Sequence, residues 1–202
     1  MFDVPGTRRG RSQPGSDTRT RILDAAEQLI ATRGFDATPT AAIAARADVP
    51  KGLVFYYFPT KESILTALLT ERLSTQPAID VTGVAVTGAP VDALVNLDAA
   101  LGRDDSPTVR EILWREAGTH PAAREQLRAL RAHLQALTVE VLRASAPLTA
   151  PARVLDSCAS AWVAAMFTAT HLDRFRGREE RVEYLRSVAR VVTAGMGALS
   201  HP

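Results

Sequence analysis

A short segment in the N-terminal half of the chain concentrates the side chains best suited to binding phosphate. It holds the chain's lysines, Lys51 and Lys61, together with Tyr56 and Tyr57. Ammonium groups and phenolic hydroxyls donate hydrogen bonds to phosphate oxygens, and such contacts position a protein on a nucleic-acid backbone. The alternatives are solvated surface charge for the lysines and an aromatic core cluster for the tyrosines, and we place the neighbouring Phe58 in that core.

The sequence offers no comparable set of residues for catalysis or for a metal. Cys158 is the only cysteine, which excludes an internal disulfide and a cysteine-rich metal site. The histidines are too scattered to predict a metal site. A small helical enzyme using His120, Glu116 or His133 as acid or base is an alternative, but no nucleophile-base pair or phosphate loop supports it. We therefore expect no enzyme activity, no cofactor and no metal.

Length and composition are those of an ordinary globular protein. The chain has 202 residues, of which 46% are hydrophobic and 23% are charged, and its formal net charge is +2. No apolar run approaches the roughly 18 residues of a membrane-spanning helix. The first residues are rich in arginine, glycine and proline and lack the apolar segment of a secretory signal. We expect a cytoplasmic protein that does not enter a membrane.

The elements that must position the phosphate-binding segment are predicted to be short helices. A first helix begins near Ser16 or Asp17, either of which can cap its free amides. Its apolar residues recur at helical spacing, and Gly34 ends it in the left-handed conformation. Thr38 is predicted to cap a second helix that has Pro39 in its first turn. The apolar stripe of the first helix is Ile22, Ala25, Ala26, Leu29 and Ile30.

A tight turn then leads into a third helix. Ala44 and Ala45 allow two helices to approach closely, and Asp48 tolerates the left-handed backbone of a turn better than most residues do. Pro50 opens the third helix, and Gly52 removes a side chain where the backbone would approach a ligand. Two short helices joined in this way at a steep angle place the second of them in a DNA major groove.

The rest of the chain also reads as helical. Thr60 caps a fourth helix, and residues 75–90 are predicted to be a linker, either a loop, a mobile segment or a brief strand-like excursion. Helices are expected at about 90–102 and 107–118, and Pro121 fits the first turn of a long helix. Two apolar helices end the chain, with a break after Arg176 and Gly177. The sequence thus predicts an all-α fold of about nine helices.

Residues 18–65 resemble the N-terminal domain of the tetracycline-repressor (TetR) family. The segment TRTRILDAAEQLIATRGFDATPTAAIAARADVPKGLVFYYFPTKESIL matches the family in the order and spacing of several features. These features are the Ile-x-x-Ala-Ala first helix, Gly34-Phe35, Thr38, Ile43-Ala44, Val49, Lys51-Gly52, Tyr56, Phe58 and Lys61-Glu62.

Several residues depart from the family pattern. Asp48 replaces the usual glycine of the turn, Pro50 the usual small polar cap, and Tyr57 the usual histidine. Leu53 stands where a small hydroxyl residue is common, and it can offer a base only apolar contact, such as to a thymine methyl. Asp48 also brings a negative charge towards DNA. These departures leave open a helical binding or scaffold protein that has lost DNA binding.

The resemblance implies a homodimer that binds a palindromic operator in double-stranded DNA, usually as a repressor and alternatively as an activator. Domains are then expected at 16–62 for the helix-turn-helix and at 63–202 for ligand binding and dimerisation. Residues 1–15 form a flexible basic arm that either solubilises the chain or adds DNA contacts. The residues implied to contact or border DNA are Thr40, Lys51, Gly52, Leu53, Phe55, Tyr56, Tyr57 and Lys61.

The C-terminal domain is implied to bind a small lipophilic inducer and to form the dimer. An apolar pocket with a few polar groups suits such a ligand, although for each residue alone an ordinary core position is an alternative. The residues implied to line the pocket are Trp114, His133, Trp162, Met166, Phe167 and Thr170. Those implied to form the dimer interface, in a four-helix bundle across a two-fold axis, are Leu155, Ala159, Trp162, Leu185, Val192 and Met196.

Overall fold

The computed structural model describes residues 14–74, 77–101, 107–146 and 150–200. Every regular element in these ranges is a helix, which confirms the predicted all-α class. No helix among the described residues is long and apolar enough to cross a membrane. The predicted basic arm lies outside the described residues except for its last two positions, where the first helix begins.

The helices follow one another with short connections. A final run, Ala152–Ser200, is interrupted at Gly177, whose φ of 78° and ψ of 172° are not helical, and we call the parts before and after it α9 and α10. The earlier helices are α1 (Pro14–Arg33), α2 (Thr40–Arg46), α3 (Lys51–Tyr57), α4 (Lys61–Arg72), α5 (Val81–Val84), α6 (Pro90–Leu101), α7 (Pro107–Glu116) and α8 (Pro121–Ser145).

The one-turn helix α5 is the element that the sequence did not predict. It lies in the predicted linker 75–90, where Asp80 caps it by accepting a hydrogen bond from the Thr82 amide at 3.0 Å. Val84 then packs in a small apolar cluster with Leu97 of α6. A four-residue helix has too few apolar positions to show a helical period, so the sequence pattern could not reveal it.

The described chain divides into two compact units. The first contains the described residues up to Arg72 together with Pro107–Ala123. The second contains the described residues of 73–106 and 124–202. Helices α4 and α7 therefore belong with the helix-turn-helix. A boundary drawn after residue 62 does not anticipate this grouping, because α7 joins the first unit through contacts with α1 that are distant in sequence.

The core of the first unit forms along the apolar stripe of α1. Ile22, Ala26 and Ile30 are fully buried, as the helical spacing predicts. Gly34 then ends α1 with a φ of 85°, and its amide donates to the Ile30 carbonyl at 2.8 Å, which confirms the predicted left-handed cap. The residues of α4 and α7 that complete this buried core are Ile64, Leu65, Leu68, Ile112 and Leu113.

The predicted capping role of Thr38 is wrong. The residue that precedes α2 is Pro39, and no side chain caps that helix. Thr38 is fully buried, and its hydroxyl donates to the Gly34 carbonyl at 2.7 Å. The Thr38 hydroxyl therefore bonds to a carbonyl that the end of α1 leaves free, and not to an amide at the start of α2.

The predicted cap of α4 is confirmed. The Ser63 amide donates to the Thr60 hydroxyl at 3.1 Å, and the Thr60 amide donates to the Ser63 hydroxyl at 3.2 Å. This reciprocal pair satisfies free amides at the start of the helix. It fixes the first turn of α4, which carries Lys61.

The second unit is built around the buried Trp162. Residues from α6, α8, α9 and α10 pack around its ring in one apolar cluster. Two ion pairs also join α6 to α10. The Arg181 guanidinium donates to both oxygens of the buried Asp98 at 2.7 and 2.6 Å, and Arg186 donates to Asp92 at 2.6 Å.

Candidate nucleic-acid interface

The turn between α2 and α3 has the backbone that the sequence predicts. Asp48 has a φ of 53°, and it is the one residue other than glycine with a positive φ among the described residues. The Val49 amide donates to the Ala44 carbonyl at 3.0 Å and so closes the turn onto the end of α2. This geometry confirms the left-handed position predicted for Asp48.

Arg21 of α1 holds this turn from behind, which sequence reasoning missed. Its guanidinium donates to the Ala47 carbonyl at 2.5 Å and to the Asp48 carbonyl at 2.8 Å. The same group lies 3.9 Å from the exposed Asp48 carboxylate. Arg21 therefore satisfies carbonyls that the turn leaves free and partly offsets the charge of Asp48. The long separation in sequence gave no signal for these contacts.

Helix α3 has one buried face and one exposed face. Val54 and Phe58 are buried in the first unit and anchor the helix. On the other face, Phe55 is 41% exposed and Tyr56 is 78% exposed, and Lys51 also faces solvent. Exposed apolar side chains grouped on one face mark an interaction site more often than single ones do. The exposed face of α3 therefore has the form of a contact surface.

The exposed side chains of α3 form two neighbouring pairs. The Lys51 ammonium lies 5.8 Å from the centroid of the Phe55 ring. The Tyr56 and Tyr57 rings meet edge to face with their centroids 5.2 Å apart. The first pair offers a cation beside an apolar surface, and the second offers phenolic hydroxyls. Both combinations suit a phosphate backbone flanked by base edges.

The predicted DNA-contacting residues lie at the starts of α2 and α4 and along α3. Thr40 is half-buried at the first position of α2. Lys61, at the start of α4, donates to the Asp36 carbonyl at 3.1 Å, and its ammonium lies 4.4 Å above the Phe35 ring. Lys61 is therefore tied to the loop before α2. The remaining predicted positions, exposed or half-buried along α3, are Lys51, Gly52, Leu53, Phe55, Tyr56 and Tyr57.

A charged cluster on α7 fixes the end of α1. The buried Glu116 carboxylate accepts hydrogen bonds from the Phe35 amide and from the Arg115 side chain, each at 3.1 Å. Arg115 in turn donates to the Ile30 carbonyl, and to the Ala31 carbonyl at 3.0 Å. The Ile30 carbonyl already accepts from the Gly34 amide, so Arg115 adds a second donor there and also supplies one to the Ala31 carbonyl near the end of the helix. We call the side chains of Arg115 and Glu116 the α7 clasp.

His120 lies beside the α7 clasp. Its ring meets the Phe35 ring edge to face at 4.5 Å, and its Nε2 lies 3.4 Å from Glu116 and 3.6 Å from Asp36. Glu116 and His120 are two of the three residues that the enzyme alternative uses as acid or base. In the structure the Glu116 carboxylate is buried and engaged by a backbone amide and by Arg115. This arrangement suits a structural role better than proton transfer.

Helix α4 is held to α1 by a second set of ion pairs. Arg19 binds both oxygens of Glu71, and its guanidinium lies 5.0 Å above the Phe58 ring. The hydrogen bonds from Arg19 lower the pKa of the Glu71 carboxyl. Arg72 donates to Asp24 at 2.6 Å. Arg19 therefore contributes to the scaffold behind α3.

The predicted ligand-binding residues are divided between the two units. Trp114 belongs to the first unit, whereas the others belong to the second. His133 lies 3.1 Å from the Pro77 carbonyl. Trp162 and Met166 are buried in the same apolar cluster. Phe167 is half-buried, and the side chain of Thr170 lies outside the described residues.

The residues predicted to form the dimer interface are core residues of a single chain. Leu155, Ala159, Trp162, Leu185, Val192 and Met196 are all buried in the second unit's cluster. Each of them therefore has little exposed surface, and their place in a dimer interface stays a prediction. The apolar surface that α10 exposes lies on its other side, where Val191 is 73% and Leu199 is 64% exposed.

The structure gives no support for metal or thiol chemistry in its described part. Among the described residues, no group of three or more histidine, cysteine, aspartate or glutamate side chains could hold a metal ion. The buried Cys158 thiol lies 3.6 Å from the Val192 carbonyl as a donor, and burial raises its pKa. A protonated, buried thiol is a poor nucleophile and a poor metal ligand.

Comparisons with known proteins agree with the geometry of the first unit. Residues 22–68 match the family model "Bacterial regulatory proteins, tetR family". The chain is 40% identical over 62 residues to the uncharacterized HTH-type transcriptional regulator YvkB of Bacillus subtilis, covering 31% of this chain and 33% of that protein. It is 35% identical over 114 residues to the HTH-type transcriptional repressor Rv3405c of Mycobacterium tuberculosis, covering 56% of each. The matches therefore span 29% to 56% of the length of the first curated relatives.

The likeness of fold extends over nearly the whole chain. A TetR-like transcriptional regulator from Rhodococcus sp. RHA1 aligns with a TM-score of 0.65 over 92% of this chain and 100% of that one, at 21% sequence identity. At this identity the likeness shows a shared fold and says nothing of ligand or DNA sequence. The first unit therefore carries a helix-turn-helix that matches the tetR family of bacterial regulatory proteins, within a fold shared with TetR-like regulators.

Proposed function

We propose that this chain is a DNA-binding transcriptional regulator that represses its target by inserting α3 into the major groove of an operator. The exposed face of α3 carries the proposal. Lys51 and Tyr56 face solvent there, while Val54 and Phe58 lock the helix to the first unit. The relative Rv3405c is a transcriptional repressor by name, which supports repression over activation.

The roles follow from the chemistry of each position. Lys51 and the tyrosine hydroxyls donate to phosphate oxygens and set the register of the helix. Leu53 and Phe55 have no polar atoms in their side chains, so they favour apolar contact with a thymine methyl. Two copies of α3 related by a two-fold axis would read half-sites about 34 Å apart, which implies a palindromic operator.

The test is equilibrium binding to DNA from immediately upstream of the chain's own gene. Fluorescence anisotropy measures the affinity at several salt concentrations. Lys51→Ala should weaken binding about tenfold and lower the slope of log affinity against log salt by about one per protomer. Tyr56→Phe removes only a hydroxyl and should weaken binding a few-fold. Arg128→Ala is the matched control, since Arg128 is an exposed cation of the second unit.

Two outcomes would refute DNA binding through α3. One is wild-type binding that depends on neither sequence nor salt. The other is an affinity of the Lys51 and Tyr56 variants equal to that of the Arg128 variant. A reporter gene placed behind the operator distinguishes repression from activation, because deletion of the regulator raises expression in the first case and lowers it in the second.

We also propose that a small lipophilic ligand releases the protein from DNA by binding beside Trp162. The indole N–H of Trp162 is buried and has no hydrogen-bond partner among the described residues. A buried donor without a partner is costly, and a ligand oxygen would satisfy it. In a Trp114→Phe variant, all tryptophan fluorescence comes from Trp162, because the chain has only these two tryptophans. A ligand that releases DNA without changing this emission would argue against the site.

A further inference from the structure

The second unit carries an open groove of about 560 Å³ that the proposed DNA interface and the Trp162 site do not use. One wall is the start of α6 with the residues just before it, including Ala89 and Val91. The other wall is the C-terminal half of α10, including Met196 and Gly197. Its volume is in the range of small-molecule sites, which is about 300 to 1,000 Å³.

Most of the residues that line the groove are small. Ala89, Ala146, Ala194 and Gly197 all contribute to it. A Cβ atom added at Gly197 would meet nothing within 4 Å. Alanine and glycine at these positions leave open a space that larger side chains would fill. The surface they leave is apolar and suits a hydrocarbon chain.

A single unpaired cation lies at the edge of this apolar surface. Arg190 lines the groove and is exposed, and its guanidinium has no hydrogen-bond or ion-pair partner among the described residues. Arg186, one turn earlier, is instead paired with Asp92 of α6 at 2.6 Å. The residues three and four positions from Arg190 in either direction are not acidic, so α10 itself offers no partner. The Arg190 guanidinium is therefore available to an anion.

The other polar side chains of the groove already have acceptors. The Thr193 hydroxyl donates to the Ala189 carbonyl at 2.9 Å, and the Ser200 hydroxyl donates to the Met196 carbonyl at 2.6 Å. Neither hydroxyl is free to donate to a neutral polar ligand. Recognition in the groove therefore rests on the apolar walls and on Arg190.

We propose that this groove binds a small amphiphilic monoanion, an unbranched carboxylate whose tail lies on the apolar walls and whose headgroup pairs with Arg190. The groove faces a different direction from the exposed apolar side of α10. At about 100° per residue, Val191 points roughly a quarter turn away from Arg190. A concave surface of small residues beside a free guanidinium suits a small ligand better than a second copy of the chain.

The experiment is titration calorimetry of the full chain with octanoate, compared with octan-1-ol and with octylammonium. Octanoate should bind, the alcohol should bind at least fivefold more weakly, and the amine should not bind. Arg190→Gln should weaken octanoate binding about fivefold to tenfold and leave the alcohol unchanged. Gly197→Leu should abolish binding of both by filling the groove, and leucine favours a helix more than glycine does, so this variant should fold.

Arg178→Gln is the matched control, because Arg178 is an exposed cation on α10 that does not line the groove. It should bind octanoate as the wild type does. The proposal is overturned if octanoate does not bind, if it binds the Gly197 variant as well as the wild type, or if the Arg190 and Arg178 variants behave alike. No DNA is present in this measurement, so its result is independent of operator binding.

Discussion

At Asp48, backbone geometry and electrostatics set opposite requirements. The residue has a φ of 53°, which aspartate tolerates better than most side chains do. Its carboxylate is exposed in the turn that precedes α3, the helix proposed to enter DNA. The Arg21 guanidinium lies 3.9 Å from this carboxylate and offsets part of its charge. Its hydrogen bonds, however, go to the carbonyls of Ala47 and Asp48. A net repulsion of phosphate should remain.

Removing this charge should strengthen DNA binding. Asp48→Asn keeps the shape and the tolerance of a positive φ, so the free energy of unfolding should change by less than about 1 kcal/mol. Its affinity for the operator should rise several-fold at low salt, and the gain should shrink as salt screens the charge. Anisotropy at two ionic strengths measures both effects. Asp48→Gly removes both the charge and the backbone strain. If affinity for the operator rose in the glycine variant alone, the backbone and not the charge would be the cause.

At the scale of the element, α7 belongs to the unit that contains the helix-turn-helix. The α7 clasp supplies donors to the end of α1 and an acceptor to the Phe35 amide. Helix α1 in turn carries Arg21, which holds the turn before α3. The orientation of α3 therefore depends on side chains of α7 that lie far from it in sequence.

Loss of the clasp should destabilise the first unit. Glu116→Ala leaves the buried Phe35 amide without an acceptor and Arg115 without its anion, at a cost of about 2 to 3 kcal/mol. Chemical denaturation measures this change. Glu125→Ala is the control, since Glu125 pairs with Arg128 on an exposed surface and should cost less than about 1 kcal/mol. If both variants lost the same free energy of unfolding, the α7 clasp would stabilise the first unit no more than an exposed ion pair does.

The success of sequence reasoning largely followed the range of each interaction, and the cap predicted for Thr38 is the local exception. The φ of Gly34, the φ of Asp48 and the cap of Thr60 depend on neighbours within a few residues, and all were predicted. The contacts of Arg21 and Glu116 join positions far apart in the chain, so no local pattern contains them. Whether the predicted DNA-facing residues of α3 contact DNA stays a prediction.

At the scale of the whole molecule, α10 presents apolar residues on two sides. Leu185, Ala189, Val192 and Met196 fill the core of their own chain. A second set at similar spacing borders this face: Tyr184 and Val188 pack partly against the core, whereas Val191, Ala198 and Leu199 are exposed. A regular spacing alone cannot tell which set meets the core. We propose this set as the dimer surface.

A charge in this surface should separate the protomers. Val191→Glu would bury a carboxylate on association, which is costly without a partner, so light scattering after size exclusion should report a monomer. Ala132→Glu adds the same charge at an exposed position of α8 and should leave a dimer. A dimeric Val191 variant would place the interface elsewhere, and a monomeric wild type would refute the dimer.

Gly177 decides the topology of the C-terminal part of the chain. Its φ of 78° and ψ of 172° lie in a region that is essentially open to glycine alone. Because of this break α10 returns along α9, where the Cys158 thiol meets the Val192 carbonyl. Without it, the 49 residues of Ala152–Ser200 would form a rod roughly 74 Å long. Such a rod could cover its apolar side only on another molecule, so one residue without a side chain guards the protein against exchanging helices between copies.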